Sequence, residues 1–165
     1  MQVITNLLPL HALNIIKKDD EVTITIHPNP GQILFCDFSQ GFKEPEMVKN
    51  KRPVVVLTGS IRGRAKLVTV VPLSTVVPNP PQPYHYLMPK QSMPMIRILQ
   101  ENDSWLKGDM IYTVGFHRLD LIQLGTKNSD GKRQYFKARL GRDQMKQIYQ
   151  CVMHGLNLPK LAPHV

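Results

Sequence analysis

Apolar and polar positions alternate in short runs along most of this 165-residue chain, which is the pattern of a β-rich protein. The clearest runs are 33–38, 54–57 and 67–71. Val54–Leu57 is β-branched and apolar, so we expect a strand that is buried on both faces. Pro53 favours an extended conformation for the residue before it and marks the start of that strand. Pro72 is expected to end the third strand.

Shorter runs predict further strands after a proline-rich connection over residues 76–83. Tyr84–Met88 alternates loosely, and 110–114 follows a turn at 107–109. Ile96 and Ile98, with Trp105 as a further candidate, indicate another short strand and turn. Asn128–Gly131 is a turn that precedes a last strand, expected over 134–140.

The N-terminal part of the chain is harder to place. Val22, Ile24 and Ile26 alternate with threonines, which is a strand pattern, and His27–Pro30 breaks it. We therefore expect residues 1–27 to form an accessory segment, either an added edge strand or mobile, in front of a single domain over residues 28–165.

One helix is predicted, from Arg142 to Leu156. Its apolar residues recur at spacings of three and four, which forms an amphipathic stripe that can pack on a sheet. Gly155, Asn157 and Pro159 supply stop signals. The predicted fold class is mainly β with a C-terminal helix, arranged as a small antiparallel barrel or curled sheet.

Charge adds a direction to this picture. The net charge is +9 and the pI is about 9.7, which favours a polyanionic partner. Basic residues concentrate in 43–66 and 127–146, and Lys51, Arg62 and Arg64 of the first group are candidates for substrate binding. No apolar run is long enough for a membrane span and the N-terminus does not read as a signal peptide, so we expect a cytoplasmic protein without membrane association.

Cysteine and histidine spacing gives no metal site. Cys36 and Cys151 lie in apolar surroundings far apart in sequence, and we expect two buried free thiols. No metal or other cofactor is predicted.

Arg52 and the pair Ser74–Thr75 are the sharpest candidates for chemistry. An Arg held extended before a Pro can present its guanidinium to a phosphate and stabilise charge that develops there. Hydroxyls that follow a strand end can donate to the same phosphate. The alternatives are a solvated Arg beside a strand and a Ser–Thr turn that bonds its own backbone.

Other candidates are less specific. Asp109 follows Gly108 and either orients a reacting group or is a turn residue. His85 has a suitable pKa for proton transfer, and Tyr84 can stack on an unpaired base. A structural role is the alternative for both.

Four blocks in order carry a resemblance to a known family. They are 31–38, then Lys51–Leu57 with its Arg-Pro start, then 71–75 with Pro-x-Ser-Thr, and finally 108–114. Together they resemble the MazF/PemK (Kid) family of toxins from type II toxin–antitoxin systems, over about residues 29–156. The resemblance implies an SH3-like barrel of the CcdB/PemK type with a C-terminal helix, acting as a homodimer.

The family's activity is metal-independent, sequence-specific cleavage of single-stranded mRNA, which inhibits translation. The 2′-hydroxyl attacks the adjacent phosphate and leaves a cyclic phosphate and a 5′-hydroxyl. The resemblance implies catalytic roles for Arg52 as acid or base, for Ser74 and Thr75 at the scissile phosphate, and for Asp109 as partner base. It also implies substrate contacts from Lys107 and from Glu44 or Glu46 of the first loop.

The expected partners are therefore single-stranded RNA and a cognate antitoxin protein. The alternative is a non-catalytic barrel of the same fold that binds RNA or poisons DNA gyrase. The RNA sequence that is cleaved and the identity of the antitoxin do not follow from this sequence.

Overall fold

The computed structural model describes residues 24–49 and 51–165, which fold into nine strands and two α-helices. Residues 1–23, with Val22 of the predicted N-terminal strand, lie outside the described part. The strands are β1 Ile33–Cys36, β2 Arg52–Val56, β3 Leu67–Ser74, β4 His85–Leu87, β5 Trp105–Lys107, β6 Tyr112–Gly115, β7 Leu119–Asp120, β8 Gln123–Lys127 and β9 Arg133–Tyr135, and the helices are α1 Arg97–Glu101 and α2 Arg142–Gly155.

The long strand β3 organises the sheet. β2 pairs with one edge of β3, while β6 and β5 share the other edge in succession. The main sheet runs in the order β4-β5-β3-β2-β1-β7, all its pairs are antiparallel, and β8 and β9 form a separate hairpin. The predicted class, mainly antiparallel β with a C-terminal helix, is confirmed. The path is open between β4 and β7, so the sheet does not close into a barrel.

Pro72 does not end the third strand, as the sequence led us to expect, because β3 continues to Ser74. The Leu57 N–H donates to the Thr69 carbonyl at 2.9 Å, so Thr69 and Val71 direct their N–H and C=O groups toward β2. Backbone groups alternate between the two edges of a strand, and the Pro72 nitrogen therefore faces away from β2. On that other edge, Val70 pairs with Tyr112 of β6 and the pairing with β5 begins only at Leu73. Pro72 therefore occupies the gap between two partner strands, where no N–H is needed.

Two apolar cores lie on the two faces of the sheet. Val55 and Val71 pack with α2 on one face, whereas Val54, Val56 and Val70 pack with Phe38 and Phe116 on the other. The prediction that 54–57 is buried on both faces is confirmed. The sheet is therefore held from both sides, and its strand ends have fixed positions.

Helix α2 covers one face as predicted. Met145, Ile148 and Val152 of its stripe are buried, and the Tyr149 hydroxyl donates to the Leu57 carbonyl at 2.9 Å. Both cysteines are free and buried, also as predicted.

Two strand predictions were wrong. Ile24 and Ile26 do not belong to a strand, and Ile26 is 83% exposed, while Val22 of the same pattern lies outside the described residues. Ile96 and Ile98 do not belong to a strand either, since α1 begins at Arg97 and buries Leu99. The last predicted strand, within 134–140, is limited to β9.

Candidate active site

A cavity of about 430 Å³ opens where β2 begins and β3 ends. In the antiparallel pairing of β2 with β3, Val54 lies opposite Pro72. Extending this register by two residues places Arg52 opposite Ser74. On the other edge of β3, Ser74 pairs with Trp105. The residues that line the cavity are Phe35, Lys49, Lys51, Arg52, Pro53, Leu73, Ser74, Thr75, Ile98, Leu99 and Ser104.

The cationic side of this cavity comes from Lys49, Lys51 and Arg52, and no carboxylate belongs to its described lining. Arg52 is half-buried, and this burial lowers the pKa of its guanidinium. A positive charge that is partly removed from water interacts more strongly with an anion than an exposed one does. The cavity is therefore suited to a phosphate group.

Ser74 bonds its own turn and remains able to donate. Its Oγ accepts a hydrogen bond from the Val76 N–H at 3.1 Å. This is the turn in which a Ser bonds its own backbone, the alternative to a role at a phosphate. That bond uses an oxygen lone pair, so the hydroxyl hydrogen can still be donated to a ligand. Thr75 follows at the rim of the cavity with its side chain exposed.

Four other predicted site residues form a separate cluster at the far end of β5. His85 pairs with Lys107, and the ring of Tyr84 contacts His85 edge-on at 4.5 Å between centroids. The pKa of His85 is lowered, first by burial and then by Lys107, while Asp109 opposes the shift. The Gln82 N–H donates to His85 Nδ1 at 3.0 Å. None of the four belongs to the described lining of the cavity.

The acidic residues of the first loop also lie outside the cavity. Glu44 and Glu46 are exposed, and Glu46 accepts a hydrogen bond from the Lys43 N–H at 3.1 Å. That contact is local and closes a turn of the loop.

Arg62 and Arg64 lie at the opposite end of the sheet. They belong to the loop that joins the end of β2 to the start of β3, and the eight residues of β3 span roughly 23 Å. Both line a different, open cavity together with His27 and Phe116. The structure therefore does not join them to the Arg52 cavity.

Sequence reasoning missed Ser104 and the wall made by α1. Ser104 precedes β5, is 3% exposed, and its Oγ has no hydrogen-bond partner among the described residues. Ile98 and Leu99 complete the apolar wall. Ile96 and Leu99 are three residues apart, which is a helical spacing. Ile96 and Ile98 are two residues apart, which is a strand spacing, so the sequence pattern is ambiguous here.

No cluster of His, Cys, Asp or Glu side chains within the described ranges could hold a metal ion. For the same residues, no helix has the length and apolar character needed to cross a membrane.

The comparison with protein families gives a clear result. A model of PemK-like, MazF-like toxins of type II toxin–antitoxin systems matches residues 29–156, which is more than half of the chain. The chain belongs to this toxin family. The family resemblance inferred from the four sequence blocks is thereby confirmed, and the match of this MazF-like toxin extends from before β1 to the end of α2.

Solved structures give more distant likenesses. An endoribonuclease from mycobacterial species is 20% identical, over 80% of this chain and 93% of that chain, with a TM-score of 0.49. The Mycobacterium tuberculosis toxin MazF-mt6 is 17% identical, over 79% of this chain and 98% of that chain, with a TM-score of 0.48. No curated protein matches the sequence significantly.

Proposed function

We propose that this MazF-like toxin is a metal-independent endoribonuclease that cleaves single-stranded mRNA at short sequences and so inhibits translation. The observation that carries the proposal is the cavity where half-buried Arg52 lies opposite Ser74, with Thr75 at the rim. Cationic and hydroxyl groups with no carboxylate among the described lining residues suit a phosphodiester.

In the proposed reaction the RNA supplies its own nucleophile. The 2′-oxygen forms a bond to the adjacent phosphorus as its proton leaves to a base, and the bond from phosphorus to the 5′-oxygen breaks. The 5′-oxygen takes up a proton, so the products are a 2′,3′-cyclic phosphate and a 5′-hydroxyl. Negative charge grows on the non-bridging oxygens, where Arg52 can stabilise it.

The hydroxyls act on the same phosphate. Ser74 donates its free hydrogen to a non-bridging oxygen, and Thr75 donates from the rim. Lys49 and Lys51 attract the strand by charge. Arg52, whose pKa is lowered by burial, is also the candidate acid that protonates the 5′-oxygen.

Asp109 is the candidate base of this proposal, although it lies outside the cavity of its own chain. It must reach the substrate from the far end of β5, or from the second copy in the homodimer that the family resemblance implies. We assign Lys107, His85 and Tyr84 to the RNA strand beyond the cavity. The exposed loop residues Glu44 and Glu46 are assigned to the strand on the opposite side.

The partner proteins belong to the same proposal. A cytoplasmic antitoxin would cover the cavity in the inactive state. The described surface beside the cavity carries exposed apolar side chains, which is typical of a protein-binding surface. Val76, Val77, Met95 and Ile98 are between 59% and 73% exposed.

Removal of a single 2′-oxygen from the RNA tests whether that oxygen is the nucleophile. An RNA that contains a single 2′-deoxynucleotide at the mapped cut position should remain intact in EDTA, while the all-ribose strand is cut. The ends produced from the latter should carry a cyclic phosphate and a 5′-hydroxyl. Cleavage of the deoxy-substituted strand at that position, or a requirement for added metal, would contradict the proposal.

A further inference from the structure

The cavity beside Arg52 has a second half that the phosphate chemistry does not use. Phe35, Pro53 and Leu73 form its apolar floor, and Ile98 and Leu99 of α1 form a wall. Its volume of about 430 Å³ falls in the range of roughly 300–1,000 Å³ that small-molecule sites occupy. A phosphate needs no apolar surface, so this half fits another part of the ligand.

Ser104, directly before β5, contributes a hydroxyl to the described lining of the cavity. It is 3% exposed, and its Oγ has no partner among residues 24–49 and 51–165. A buried hydroxyl without a hydrogen bond is destabilising, and such groups in folded proteins call for an explanation. The Ser104 carbonyl is bonded to the Met88 N–H at 2.9 Å, so the backbone is held while the side chain can rotate.

We propose that the apolar half of the cavity receives one unpaired base of the RNA and that the Ser104 hydroxyl hydrogen-bonds this base, selecting among the four. The proposal rests on the proposed function, because it takes RNA as the ligand. A flat ring against Phe35 and Pro53, with one polar contact at its edge, is the usual way in which proteins hold unpaired bases. Arg52 at the same cavity then holds the adjoining phosphate.

The probe is a set of short 2′-fluoro strands that carry one base on an otherwise abasic backbone. Four probes present A, C, G or U, and a fifth is fully abasic. None has a 2′-hydroxyl, so none can be cleaved. Affinities are measured by the fluorescence anisotropy of a dye attached to the 5′ end of each probe.

The unmodified protein should bind one of the four base-bearing probes best, and all of them better than the fully abasic strand. Ser104→Ala should weaken the preferred probe by about threefold to tenfold, as expected for one lost hydrogen bond, and bind the abasic strand as before. Ser129→Ala, an exposed serine in the turn after β8, is the matched control and should keep the preference. The thermal midpoint of Ser104→Ala should equal or exceed that of the unmodified protein.

A second variant guards against a folding defect in the first. Ile98→Ala shortens an exposed part of the wall and should weaken all four base-bearing probes similarly without changing their order. The inference is overturned if base preference survives in Ser104→Ala, or if the unmodified protein binds abasic and base-bearing strands equally. Binding of the antitoxin alone, with no response to any strand, also overturns it.

Failure of the nuclease proposal gives a different result. The probes cannot react, so their affinities still test base binding even if the protein does not cleave RNA. If the protein cleaves RNA but Ser104→Ala keeps its base preference, only the base-binding inference fails.

Discussion

At the scale of single residues, burial decides how the ionisable side chains behave. Desolvation raises the pKa of the Cys36 thiol to about 12 and that of Cys151 to about 11. Neither thiol is therefore a nucleophile near neutral pH, and both are packing residues. Arg52 is only half-buried, which strengthens its field in the cavity while leaving one side open to a ligand.

The raised pKa of Cys36 predicts a loss of stability in alkali. The unfolded thiol releases its proton near 9.0 and the folded thiol near 12, so its contribution is full below pH 9 and declines up to pH 12. At pH 10 the decline from this group is about 1 kcal/mol. Urea unfolding at pH 8 and pH 10 measures it, and Cys36→Ala should reduce the difference between the two pH values. An equal difference in the variant would show that Cys36 does not titrate as stated.

At the scale of elements, Gly108 joins the strands to the helix. The Gly108 N–H donates to the Tyr84 carbonyl at 2.8 Å, and a Cβ built on Gly108 would lie 2.8 Å from the Cys151 carbonyl of α2. The Gly108–Asp109 block that first pointed to chemistry is thus also required for the close approach of α2 to β4 and β5.

Gly108→Ala should therefore destabilise the fold by about 1–3 kcal/mol, because backbone atoms on both sides must move. Gly59→Ala is the matched control, since its nearest neighbour to a new Cβ is Pro30 at 3.9 Å. That change should stay within about 0.5 kcal/mol. Thermal unfolding of both variants checks the difference, and equal midpoints would contradict the packing argument.

The same elements show what the sequence could and could not predict. Strands β1 and β2 and helix α2 were predictable because each carries an uninterrupted apolar pattern with clear stop signals. Helix α1 was not, because five residues hold too little periodicity and Ile96 with Ile98 imitates a strand. The extension of β3 through Pro72 was hidden because it depends on the gap between β6 and β5, which is a tertiary feature. Ser104 carries no sequence signal, because its significance lies in its burial.

At the scale of the whole molecule, charge and topology separate attraction from chemistry. The net charge of +9 favours a polyanionic partner at long range, whereas the cavity is at one end of β3 and the loop with Arg62 and Arg64 is at the other. The sequence alone did not show that these two regions lie at opposite ends of the sheet, because one directly precedes β2 and the other directly follows it.

Removal of two charges should weaken RNA binding without altering the chemistry. For single strands the logarithm of affinity falls with the logarithm of salt concentration at about 0.7 per phosphate neutralised. The double change Arg62→Ser with Arg64→Ser should lower that slope by at most about 1.4 and leave the rate at saturating RNA unchanged. Binding titrations over a salt series measure the slope. An unchanged slope would exclude this loop from the interface.

Arg52 is the central residue of the proposed active site, and the single-turnover cleavage rate of its alanine variant tests this role directly. Arg142→Ala is the control, because it removes the same charge from an exposed position at the start of α2. At saturating RNA in EDTA, Arg52→Ala should lower the rate by about 10²–10³-fold or more, the usual effect of losing one group that stabilises the transition state. Arg142→Ala should retain the original rate. An Arg52→Ala protein that cleaves as fast as the Arg142→Ala control would contradict the assignment of the cavity as the active site.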